Sequence, residues 1–261
     1  MLLPELNFWD DTRDSLHRAS KVLREIRLQV LQPLPHHLHH SLQVVPEGLS
    51  TGQLPFGGEF VLDFVDSHLV YRAAGSPTVD ISLIGHSQAS LGQAASALLA
   101  HLGHAITLPE DKLTDTEAFV ISPSIAEDYA DALYSVFTAT ARFRARLNGL
   151  MSPIALWPHH FDLSFLWFAT NEATEQAPHL NFGFAPQSEG LPRPYFYAYA
   201  WPIPPGLLDI KLPELAHWHT EGWTGVVVPY DSLRGMTGTS QVIEGFQSEI
   251  FQTIAPLLTK G

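Results

Sequence analysis

The chain has 261 residues, 45% hydrophobic and 16% charged, as suits a folded globular protein with a sizeable core. Its formal net charge is −13 with only 14 lysines and arginines, a balance that repels a phosphate backbone or an anionic membrane and so argues against both partners. The absence of cysteine excludes disulfides, thiolate zinc sites and a cysteine nucleophile. Met1-Leu2-Leu3-Pro4-Glu5 has no basic stretch and no long apolar run, so the expectation is a cytoplasmic protein without a signal peptide or a spanning helix.

Asp10-Asp11-Thr12 resembles a helix start, and Leu16, Ala19, Leu23, Ile26 and Val30 follow at helical spacing, which predicts a helix over 11–31 stopped by Pro33 and Pro35. The histidine-rich stretch 36–40 reads as a strand running on to Val45. Residues 60–64 and 69–71 read as a hairpin joined at Asp66-Ser67, and 78–84 alternates as a half-exposed strand. A helix is predicted from Gln88 to Leu102. Ser124-Ile125-Ala126-Glu127 reads as a capping box opening a helix that runs to about 148. Strands are predicted over 154–157, 161–169, 179–184, 194–200 and 223–228, then a helix over 240–258.

Two stretches match each other. Pro35-His36-His37-Leu38-His39-His40-Ser41-Leu42 and Pro158-His159-His160-Phe161-Asp162-Leu163-Ser164-Phe165 share a constant offset, since 160 − 37 and 162 − 39 both equal 123. Each follows a helix-like segment containing Arg-Leu. The predicted fold is α+β, with antiparallel sheets, flanking helices and two related halves. We expect a single domain over 1–261, with halves at about 9–110 and 124–261 and the acidic segment 104–123 as connector.

Four groups of residues offer chemistry. Gly85-His86-Ser87-Gln88-Ala89 imitates a serine hydrolase elbow between a strand and a helix. Ala89 crowds the turn, however, and the preceding strand alternates polar and apolar residues instead of being buried on both faces. Ser87 as a helix cap therefore ranks above Ser87 as nucleophile.

Strand alternation would place His37 and His39 on one face, and His160 and Asp162 on one face. Imidazole and carboxylate pairs on adjacent strands can ligate a divalent metal, so His37, His39, His160 and Asp162 form a candidate set. The competing reading is polar strand ends satisfied by backbone. Asp162, between Phe161 and Leu163, needs a partner if buried. Tyr195, Tyr197 and Tyr199 make one sheet face a ladder of phenols, a stacking wall for a flat ligand or a half-buried face. Arg24, Arg27, Arg142, Arg144 and Arg146 cluster on the helices that open the halves, to pair with internal carboxylates or to bind an anionic ligand.

The order Trp9-x-Asp11-Thr12, Arg27-Leu28, His36-x-x-His39, Gly48-Leu49-Ser50-Thr51, Pro55-Phe56-Gly57, Phe161-Asp162-Leu163, Tyr195-x-Tyr197-x-Tyr199 and Val228-Pro229-Tyr230 resembles the uncharacterised bacterial family called domain of unknown function 5996. The resemblance covers most of the chain and implies no assigned activity. Members of that family carry Trp where His37 stands and a small residue near His160. The resemblance therefore supports His36, His39 and Asp162 above the full four-ligand set.

The leading functional expectation is a small polar ligand or metal at the junction of the halves, with His36, His39, Asp162 and Tyr197 binding it. The alternatives are a non-catalytic structural or protein-binding domain, and a serine hydrolase using Ser87.

Overall fold

The first predicted helix forms almost where its periodicity places it, as α1 (Asp10–Val30), in a computed structural model that describes residues 2–259. Trp9 occupies its cap position and makes no side-chain capping bond. Asp10 and Asp11 instead lie in the first turn, where negative charge suits the helix dipole, and Asp10 pairs with Arg13 at 2.5 Å.

Two antiparallel sheets with flanking helices make an α+β fold. The chain separates into two compact units. One comprises Leu6–Tyr134 and Leu156–Phe161; the other comprises Met1–Glu5, Ser135–Ala155 and Asp162–Gly261. These are not the halves delimited in sequence, because the second histidine stretch is split between the units at Phe161 and Asp162.

The first unit holds a five-stranded meander, in order β1 (Gln43–Val45), β2 (Gly48–Ser50), β3 (Glu59–Asp63), β4 (His68–Arg72) and β5 (Val79–Ser82). Helix α1 packs on β3 and on α2 (Gln88–His101), and buries Leu16, Ala19, Leu23 and Ile26 completely. That periodic apolar stripe is what holds α1 to the unit. Ser87 caps α2: its hydroxyl accepts from Ser90 N–H at 3.2 Å, and Ser90 Oγ accepts from Ser87 N–H at 2.9 Å. Helix α3 (Pro123–Arg144) starts at Pro123, a residue suited to a first helical position, and ends four residues before the predicted 148.

The six-stranded sheet has the order β10 (His217–His219), β11 (Gly225–Pro229), β9 (Tyr195–Trp201), β8 (His179–Ala185), β7 (Asp162–Phe168) and β6 (Ala155–Trp157). In the second unit, Phe165, Phe182 and Phe196 share one face of this sheet. They pack against Phe143 of α3 and Phe246 of α4 (Thr239–Leu258). Along β9 the buried Phe196, Ala198 and Ala200 alternate with Tyr195, Tyr197 and Tyr199, so the phenols line the opposite face.

The strand expected at 36–40 does not form. Residues Pro35–His40 make a 3-10 turn instead, with His36 at φ 52° and His37 at φ 53°. Left-handed backbone at two successive residues reverses the chain after Pro35, so strand alternation does not apply to His37 and His39. His160 lies in the turn between β6 and β7, and its N–H reaches Trp157 O at 3.2 Å. The helix–sheet–helix order recurs along the chain, yet its two Pro-His-His stretches take different local structures.

Candidate functional site

Arg27 organises the histidine turn. It projects from the last turn of α1, 8% exposed, and its guanidinium donates to Leu38 O at 2.7 Å, to His39 O at 3.4 Å and to Thr51 O. A planar fork of donors can serve three carbonyls at once, which an ammonium cannot do with the same geometry. Burial lowers the Arg27 pKa from its ordinary value. Ser41 Oγ adds a bond to Leu38 O at 2.9 Å. These contacts offset the cost of two left-handed histidines, about 1–3 kcal/mol each.

The turn they hold brings imidazoles together. His37, His39 and His40 each offer a ring nitrogen, and these atoms lie within 4.8 Å of one another. His37 lies in the left-handed stretch of this turn, and its ring stands edge-on to that of His40 with centroids 5.8 Å apart. The rings of His39 and His40 are 4.3 Å apart between centroids. The candidate set read from sequence joins His37 and His39 to His160 and Asp162 and leaves out His40. His40 is drawn below the usual imidazole pKa, chiefly by burial and then by His39 and His37. Leu34 N–H donates to His39 Nδ1 at 3.1 Å, so neutral His39 carries its proton on Nε2.

The second histidine stretch meets the same region of this unit. Leu42 and Leu156 exchange two backbone hydrogen bonds, of 2.8 and 2.9 Å. His17 Nε2–H on α1 donates to Pro158 O at 2.8 Å, and its ring stacks on Phe161 with centroids 5.2 Å apart. His159 and His160 follow, with ring centroids 4.3 Å apart. Burial first, then the charges of His160, Arg24, His40 and Lys21, bring His159 down to about 4. Burial and then Lys21 bring His17 down to about 4 as well.

Asp162 and Tyr197 belong to the other unit, and there they do meet. Tyr197 Oη donates to Asp162 Oδ2 at 2.5 Å. Burial, followed by the charge of Asp162, pushes the Tyr197 phenol well above its ordinary pKa, so it stays a neutral donor. Tyr199 Oη accepts from Asn181 Nδ2 at 2.8 Å, and Trp223 stands edge-on to Tyr197 and Tyr199. The ligand set proposed from sequence thus divides, with His36 and His39 in one unit and Asp162 and Tyr197 in the other. Ser87 is engaged as a helix cap, and its hydroxyl meets Ser90 and no imidazole among the described residues.

The clustered arginines mostly serve the fold. Arg24 pairs with buried Glu25, Arg142 and Arg146 with buried Glu244, and Arg144 with the carbonyls of Ser152 and Met151.

A family model described as "Family of unknown function (DUF5996)" matches residues 3–259. The chain belongs to this family. Comparison with curated proteins and with solved structures finds no match. Membership in DUF5996 carries no assigned activity. No helix among the described residues is long and apolar enough to cross a membrane.

Proposed function

We propose that the protein binds a divalent transition-metal ion of the zinc class through His37, His39 and His40. The observation that carries this reading is the convergence of three imidazole nitrogens within 4.8 Å on a turn clamped by a buried arginine. Imidazole-only sets suit zinc, copper, nickel and cobalt better than magnesium or calcium, which prefer oxygen. Tetrahedral zinc at about 2.0–2.1 Å from each nitrogen separates its ligands by about 3.3 Å. No pair of these nitrogens therefore has to close by more than roughly 1.5 Å on binding, a side-chain adjustment on an exposed and half-exposed turn. Ligation by either nitrogen of His39 gives up the bond from Leu34 N–H, because a metal on Nδ1 takes its lone pair and a metal on Nε2 moves the ring proton to Nδ1; that N–H lies where water can satisfy it. Three protein nitrogens leave one position of the ion for water or a ligand.

The test is the metal content of purified protein after incubation with zinc and exhaustive dialysis. We expect one zinc per chain in the wild type and none in His37→Ala/His40→Ala. Equal zinc in both proteins, or none in the wild type, rejects the reading. A protein-binding role without metal is the alternative, and nothing in the histidine turn favours it.

A further inference from the structure

Lys21 is a half-buried ammonium with no hydrogen bond or ion pair among the described residues. Helical spacing puts His17, Lys21 and Arg24, at i, i+4 and i+7, on one stripe of α1. His17 fastens the turn carrying His159 and His160 to that stripe, and the Leu42–Leu156 bridge fastens the His37–His40 turn alongside. Arg24 is aimed by Glu25 Oε1, which accepts from its Nε at 3.0 Å and its Nη2 at 2.6 Å. Its Nη1 makes no hydrogen bond among the described residues.

We propose that Lys21 and Arg24, with His159 beside them, form a subsite for a small oxyanion, a phosphate or carboxylate group, next to the histidine metal position. This rests on the metal reading for the anion's place beside an ion, though not for the subsite itself.

The chemistry follows from the donors present. An ammonium supplies a compact charge with rotatable N–H bonds, and a guanidinium supplies a directed one; together they match the oxygens of phosphate or carboxylate. Glu25 offsets one of the two positive charges, and Asp115 is engaged by Arg18 at 2.9 Å. Of Arg18, Lys21 and Arg24, Lys21 alone has no carboxylate at hydrogen-bond distance among the described residues. Partial burial first, then Arg24 and Arg18, lower the Lys21 pKa, and together they outweigh the opposing charge of Asp115. An anion there relieves that repulsion, and a metal ion beside it would hold the same anion from the other side. An enzyme or carrier built this way takes an anionic small molecule with a metal-seeking oxygen.

Calorimetric titration with inorganic phosphate, and separately with acetate, tests the subsite on metal-free and zinc-loaded full-length protein. We expect phosphate binding in both forms, tighter with zinc, and weakened at least about tenfold by Lys21→Met, a typical loss for one charge-assisted contact. Zinc affinity should change less than about twofold in that variant, since Lys21 supplies no ligand. Arg24→Lys, which keeps a cation for Glu25, should weaken phosphate without unfolding the protein. Phosphate binding that is absent, or identical in wild type and Lys21→Met, overturns the subsite. Lys21-dependent phosphate binding in a protein that takes up no zinc supports the subsite and rejects only the metal reading.

Discussion

Tyr197 lies across Gly183. These residues face each other on β9 and β8, and a Cβ added at the glycine would overlap the Tyr197 ring carbon Cζ. The missing side chain lets the phenol lean over β8 to reach Asp162 on β7. Gly183→Ala should therefore displace the ring and cost about 1–3 kcal/mol, the usual range for overpacking. Tyr197→Phe should cost about 1–3 kcal/mol by removing a hydrogen bond from a buried carboxylate while keeping the ring. Urea unfolding of the two variants and their combination is the check. The double variant should lose less than the sum, because both act through one contact. Strict additivity would show that the glycine serves something else.

Arg27 should behave as a positioning residue for the histidine turn. Arg27→Lys keeps the charge but cannot reach Thr51, Leu38 and His39 together. We expect a loss of about 2–4 kcal/mol in stability, since buried carbonyls lose their partner. Zinc affinity should fall by about 10–100-fold even at temperatures where the variant is folded, as when the support of a ligand is removed. Thermal melts with and without zinc separate the two effects: the zinc-induced rise in Tm should shrink in the variant. An undiminished rise would show that the turn holds its shape without Arg27.

Acid should weaken the protein through His17. Its pKa, near 6.5 in the unfolded chain, falls to about 4 in the folded protein, so the unfolded state binds more protons between those values. The His17 contribution is fully present above about pH 6.5 and is lost as pH falls toward 4. For this largely buried ring the loss is on the order of 2–3 kcal/mol. His17→Gln can retain an N–H for Pro158 O and should remove the His17 share of the slope between pH 6.5 and 4, leaving that of His159, whose pKa also falls to about 4. Chemical denaturation across that range measures it. Parallel profiles for wild type and variant would contradict the assignment.

Periodic segments were legible because a buried stripe or an alternating face leaves its repeat in the sequence. Helix α1, strands β3 and β4, and the tyrosine alternation of β9 all formed near their predicted positions. Strands β2 and β10, with three residues each, are too short to show a period. The histidine stretch was singled out for its composition but misread as a strand. Its shape depends on Arg27, whose carbonyl partners lie between 11 and 24 residues away. His40 entered no candidate set because alternation, the wrong rule for a 3-10 turn, excluded it. The spacing of His17, Lys21 and Arg24 was visible, but only the folded chain brings His159 to that stripe. Asp162 was legible as a carboxylate needing a partner in an apolar strand, and Tyr197 is a partner it has.

In the proposed site three imidazoles on one turn hold a metal ion. Cobalt(II) titration followed by visible absorption probes it, because a four-coordinate site with three nitrogen ligands gives d–d bands far more intense than those of the octahedral hydrated ion. These bands should saturate at one cobalt per chain, disappear on addition of zinc, and be absent from His37→Ala, His39→Ala and His40→Ala. Bands that persist in all three variants, or a wild-type spectrum identical to that of the hydrated ion, would contradict it.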